Sequence, residues 1–222
     1  MPIVIFSFIY INFVYLFDVF AISFNTIFIF LLKDNYLKGP ILEGNIKGDL
    51  GELFSKYGTI QGKPTIWGAF RILLVKPGVQ AVISYRCYHK LYKWRLKLLA
   101  ELLGRVNFFF NGAEIDPGAE IGPGCKIWHA GGVVIGRGVK IGRNVSIFSN
   151  VTLGGLGHSI FHHGEPGYPE IGDNVNLYTG VTVLGPVKIG NNVTIGAHSL
   201  VLDSISDNSL AVGIPAKVVR QI

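Results

Sequence analysis

Four of the chain's six histidines fall between positions 129 and 163: His129, His158, His162 and His163. An imidazole titrates near neutrality, so each can take up or release a proton or bind a metal. His158 and His163 stand five apart, and with His129 as a third ligand they could form a three-histidine zinc site. His129 lies in the run Trp128-His129-Ala130-Gly131-Gly132. There it could activate a hydroxyl by taking its proton, or stand as a hydrogen-bonded polar residue at a turn. Trp128 and Tyr168 bring flat apolar rings that could stack on a sugar. The two cysteines, Cys87 and Cys125, match no metal spacing and imply no disulfide framework, so a reducing, cytoplasmic setting is expected.

These residues must be held by a scaffold, and the spacing of aliphatic residues names it. From Ile115 onward they recur every six positions, at Ile115, Ile121, Ile127 and Val133, then at Ile135, Ile141, Ile147 and Leu153, with a slip of two residues between the series. A third series runs Ile171, Leu177, Val183, Ile189, Ile195 and Val201. Glycine often follows, as at Gly122, Gly136, Gly142, Gly172, Gly190 and Gly196. A small or β-branched residue often comes four positions after the aliphatic one. Helices and ordinary sandwiches do not produce a strict six. A parallel β-helix does, because each coil stacks its aliphatic residues inside and turns at corners. The 29 glycines and the low charged fraction of 15% suit that reading. Continuing the period of six through the gap between Leu153 and Ile171 would put Ser159 and Glu165 inside, which a dry core rejects. Residues 157–168 are therefore expected to form an extruded loop, and long loops on rigid scaffolds are usually functional.

Three regions are expected: an apolar leader over 1–33, a linker and α-helical region over 34–110, and the β-helix over 111–222. Residues 2–32 carry one charge, Asp18, and are long enough to cross a bilayer. Lys33, Lys38 and Lys47 follow them, so an anchored chain would keep its catalytic part on the cytoplasmic face. Asp18 near mid-span opposes insertion by roughly 2.5 to 3.5 kcal/mol, and a leader read from an upstream start is the other explanation. The segment 66–110 reads as two helices, the second starting near Pro77 and running on through a basic, amphipathic stretch. That stretch is either a membrane-surface or partner helix, or a packed helix with a solvated basic face, the reading favoured here. The net charge of +6 suits polyanions in general, but no basic stripe or recognition motif points to nucleic acid.

From about Gly68 to the C-terminus the chain resembles serine acetyltransferases and their close relatives among the left-handed β-helix acyltransferases. Four blocks carry the resemblance in order: KPGVQAVISYR, EIDPGAEIGPGCKIWHAGGVVIG, VTLGGLG and AVGIPAKVVR. It implies left-handed coils, homotrimers or dimers of trimers, active sites between neighbouring subunits, acetyl-CoA as co-substrate and no metal. The family's catalytic base falls on His129, and its orienting carboxylate on Glu114, fifteen positions earlier. Coenzyme A would meet Gly154, Gly155, Thr179, Ala197 and the turn 213–217, with Lys217 placed to meet a phosphate.

The departures concern the acceptor. Where the family holds serine with an aspartate before the base, an Arg-His pair ending the loop and an aspartate in the helical region, this chain has Trp128, Gly167-Tyr168 and Lys63. A desolvated ammonium needs an anionic partner. The acceptor is therefore expected to be a sugar hydroxyl of a surface polysaccharide or its precursor, contacted by Trp128, His158 and Tyr168. L-serine, the acceptor of cysteine biosynthesis, is the alternative. A zinc carbonic anhydrase-like trimer using the three histidines is a more distant one, and a catalytically silent trimeric scaffold another.

Overall fold

The computed structural model describes residues 59–60, 63–64, 75–156 and 167–222. The apolar leader and the interior of the expected loop, His158, His162 and His163 included, lie outside the described residues. Among the described residues no helix is long and apolar enough to cross a membrane.

A two-stranded ribbon, β1 (Thr59–Ile60) and β2 (Lys63–Pro64), comes first, followed by helices α1 (Pro77–Lys93) and α2 (Lys97–Asn111). The rest is a left-handed parallel β-helix of four three-strand coils. Its coils are β3 (Ala113–Ile115), β4 (Glu120–Ile121) and β5 (Lys126–Ile127); β6 (Val133–Ile135), β7 (Lys140–Ile141) and β8 (Ser146–Ile147); β9 (Thr152–Gly154), β10 (Glu170–Ile171) and β11 (Asn176–Leu177); and β12 (Thr182–Leu184), β13 (Lys188–Ile189) and β14 (Thr194–Ile195). Then β15 (Leu200–Val201) begins a further coil, and β16 (Ser209–Gly213) pairs antiparallel with β17 (Ala216–Gln221). The first face of the prism is β3, β6, β9, β12 and β15. The second is β4, β7, β10 and β13, and the third is β5, β8, β11, β14 and β16, which β17 closes.

The six-residue rows are the core. Ile115, Ile135, Leu153, Val183 and Val201 line the first face from inside, Ile121, Ile141, Ile171 and Ile189 the second, and Ile127, Ile147, Leu177 and Ile195 the third, all buried. Val145, Val151, Val175, Val181 and Val193 fill the corners between them and are wholly inaccessible. At the corner between the second and third faces, Asn144, Asn174, Asn192 and Asn208 take positive φ of 54 to 57°. Asparagine tolerates that conformation better than most residues. Their side chains also bond in a ladder, each amide nitrogen donating to the next amide oxygen at 3.2, 3.1 and 2.9 Å.

Register places the loop. Ile141 pairs with Ile171, thirty positions on, whereas Ile171 pairs with Ile189, eighteen on. One coil thus carries twelve extra residues between β9 and β10, the length of the expected loop. The ladder closes around them: the Lys140 amide donates to Pro169 O at 3.1 Å and Gly185 to Gly154 O at 3.0 Å.

The first coil would expose a row of unpaired carbonyls, an invitation to further strand pairing, and α1 covers it. Tyr85 Oη donates to Ala119 O at 2.6 Å and Tyr88 Oη to Ile115 O at 2.9 Å, while Arg86 donates to the carbonyls of Ile121 and Gly122. His89 Nδ1 meets Pro117 O at 2.8 Å. Burial pushes both tyrosine hydroxyls far above their usual range, and burial also lowers the His89 imidazole. Gly78 is obligatory, because any side chain there would run into Ile127 O.

Two sequence expectations change here. Arg86 is only 4% exposed, so the basic face is not wholly solvated; the carbonyls that draw Arg86 inward lie some 35 residues away in sequence. The single helix expected from Pro77 to Phe110 is broken between Lys93 and Lys97. Arg95 takes φ 64°, and the Leu96 amide donates to Leu91 O at 3.0 Å, which ends α1 and turns α2 back against it. α2 then ends at Gly112, at φ 72°, and delivers the chain into β3.

Candidate active site

On the corner between the third and first faces, Ile147 and Leu153, Leu177 and Val183, and Ile195 and Val201 are each separated by six residues. Ile127 and Ile135 are separated by eight, so the two-residue slip falls at Trp128–Gly132. The extra length lets this corner bulge. Ala130 stays buried while His129, Gly131 and Gly132 are exposed. Gly132 sits at φ 72°, and a side chain there would collide with the Asn150 amide oxygen. His129 makes no hydrogen bond or ion pair with any described residue, which leaves its imidazole available to a ligand.

The coils above continue the same position upward. Two residues after each aliphatic residue of the third face come His129, Ser149, Thr179 and Ala197, one per coil, with Gly213 above them. Ser149 Oγ and Thr179 Oγ1 lie 3.4 Å apart. One residue earlier runs an aromatic stack: Trp128 on Phe148 at 6.0 Å between centroids and 19° between planes, and Phe148 on Tyr178 at 4.9 Å and 17°. It ends at Gly196, against which Val212 packs. Lys217 pairs with Val212 in the terminal hairpin, and its Nζ lies 3.3 Å from Asp203 Oδ2, both side chains exposed. Ser149, Thr179 and Ala197 therefore rise in one line from His129, and Lys217 sits in the hairpin above it with its Nζ turned to Asp203.

Gly154, Gly155 and Tyr168 occupy a different corner, between the first and second faces. The Tyr168 ring lies over Gly136 and Gly138, where a Cβ at Gly136 would be 3.2 Å from it. A Cβ at Gly155 would be 3.3 Å from that ring and 3.1 Å from Gly167 O, so the two ends of the loop adjoin. Trp128 and Tyr168 are consequently not neighbours within one chain. Glu114 projects outward from β3, in register with Val134, and no hydrogen bond or ion pair joins it to His129. Among the described residues no group of histidine, cysteine and acidic side chains is placed to hold a metal.

Phe148, Ser149 and Tyr178 were not singled out from the sequence. Their signal was present in the period: they stand one or two positions after Ile147 and Leu177, as Trp128 and His129 stand after Ile127.

A profile of the bacterial transferase hexapeptide family (six repeats) matches residues 168–203. The serine acetyltransferase of Staphylococcus xylosus is 42% identical over 176 residues, which cover 79% of this chain and 77% of that protein. That of Staphylococcus aureus is 42% identical over 158 residues, covering 71% of this chain and 72% of its own length. Among solved structures, soybean serine acetyltransferase complexed with serine superposes with a TM-score of 0.71 at 34% identity, covering 82% of this chain and 70% of that one. The Neisseria gonorrhoeae enzyme in complex with serine gives 0.67 at 32% identity, covering 79% and 67%. The chain belongs to the serine acetyltransferase family of hexapeptide-repeat, left-handed β-helix O-acetyltransferases.

Proposed function

We propose that the chain transfers the acetyl group of acetyl-CoA to the hydroxyl of L-serine, with His129 as general base. The observation that carries this reading is the 42% identity to a serine acetyltransferase over 77% of that protein's length. It outweighs the sugar acceptor inferred from Trp128 and Tyr168, which rests on two ring types alone and on residues that lie on different corners of the chain.

In the reaction, His129 takes the hydroxyl proton as the oxygen attacks the thioester carbonyl. The tetrahedral intermediate collapses, the carbon–sulfur bond breaks, and the imidazolium returns its proton to the departing thiolate. Glu114, on the first strand of the first coil, is the candidate to steady that imidazolium. Coenzyme A lies along the line of Ser149, Thr179 and Ala197, with Lys217 at its phosphate end. Small residues there let the pantetheine arm approach the backbone. Gly154, Gly155 and Tyr168, on another corner, reach a base only across a subunit boundary, as the family's trimeric arrangement would allow.

One observation favours a sugar hydroxyl as a second reading: the aromatic stack begins at Trp128, directly beside His129, where an ammonium would need a carboxylate. An acceptor screen that follows coenzyme A release separates the two. Saturable turnover with L-serine supports the first reading. Faster release with a nucleotide sugar or oligosaccharide than with millimolar serine would overturn it in favour of the second.

A further inference from the structure

Among the described residues, His198 is the one imidazole besides His129 on the corner that carries the base. The left-handed position there is filled by Gly132, Asn150, Gly180 and His198, with φ of 72, 56, 74 and 58°. Glycine takes such a conformation freely, asparagine readily and histidine more often than most residues, so the backbone admits His198 without explaining why this corner carries an imidazole there. Its amide donates to Thr179 O at 2.9 Å, as any residue's would. The ring itself lies over Gly180, where an added Cβ would come within 2.8 Å of Cε1, so Gly180 leaves the space the ring occupies. The side chain is exposed and makes no hydrogen bond or ion pair with any described residue. An exposed imidazole with no polar partner, on the same corner as His129, points to a ligand.

The rise of the coils suggests which part of the ligand. His129 and His198 stand on the first and fourth coils of one corner. Three strand spacings of 4.7–4.9 Å separate those levels by roughly 14 Å. From sulfur to the first phosphate ester oxygen, a pantetheine arm is about as long as four extended residues, again roughly 14 Å. A thioester held at His129 with its arm along Ser149, Thr179 and Ala197 therefore brings its diphosphate to the level of His198. Lys217 lies in the hairpin above this corner, with its Nζ held by Asp203 at 3.3 Å.

We propose that His198 binds the phosphate end of coenzyme A and sets the preference for the full cofactor over shorter thioesters. This rests on the proposed course of acetyl-CoA along that corner. The test compares the His198→Gly variant with the unaltered chain on two donors, acetyl-CoA and S-acetylpantetheine, which shares the arm but lacks every phosphate. Glycine suits φ 58°, so folding is preserved. His198→Asn, which repeats the residue found at Asn150, provides a second variant. Loss of one phosphate contact should raise the KM for acetyl-CoA roughly five- to tenfold in both variants, with kcat/KM for S-acetylpantetheine unchanged. An acetyl-CoA KM within twofold of the parent's, or equal losses on both donors, would overturn the proposal while leaving the acetyl-CoA reading standing. If the unaltered chain used neither donor, the reading itself would fall and the proposal with it.

Discussion

Replacing His129 by alanine separates catalysis from folding more cleanly than any other change in this chain. The imidazole is exposed and makes no hydrogen bond or ion pair with the described residues, so its removal should shift stability by no more than about 0.5 kcal/mol. As a general base it should contribute between 10² and 10⁴ in rate, and each tenfold loss corresponds to about 1.4 kcal/mol of transition-state stabilisation. The variant should therefore lose at least 2.7 kcal/mol, roughly a hundredfold, from kcat and kcat/KM alike. Affinity for coenzyme A should stay near the parent's, because the contacts proposed along Ser149, Thr179 and Ala197 are untouched. The measurements are steady-state thiol release, equilibrium binding of coenzyme A, and a thermal melt on the same preparation. Activity within tenfold of the parent would remove His129 as the base. A large loss accompanied by a falling melting temperature would make it a structural residue of the corner instead.

Two further changes probe other parts of the argument. Glu114→Gln should cost less than His129→Ala, because the amide can still accept a hydrogen bond while losing the charge that stabilises an imidazolium; a greater loss in kcat would reverse the assigned roles. Arg86→Met should destabilise the chain by about 2 to 4 kcal/mol in denaturant titration, since two charge-assisted bonds to carbonyls of the first coil are lost at a buried position, and a change below about 0.5 kcal/mol would show that the solvent already satisfies those carbonyls.

The β-helix was legible because one physical requirement repeats: every coil must bury three aliphatic side chains, and the period of six records it. The loop was legible for the complementary reason, since Ser159 and Glu165 stand where the period demands apolar residues. The helix break at Trp94–Leu96 was not, because neither glycine nor proline marks it and Arg95 takes up a left-handed conformation only when α2 folds back. Arg86 was misread because its partners belong to a coil that exists only after folding. For the site, the line from His129 to Ala197 follows from counting sixes, whereas the separate corner of Gly154, Gly155 and Tyr168 becomes plain only from the strand register across the long coil.

The excursion between Gly155 and Gly167 leaves from and returns to adjoining backbone, so the coils above are blind to its length. Closing a longer loop costs only about 0.6 kcal/mol per doubling, and the strand ladders on either side keep their hydrogen bonds. The segment can lengthen, shorten or be exchanged while His129 stays one strand step below Ser149 and two below Thr179, so the corner that carries the imidazole is insulated from whatever the excursion becomes.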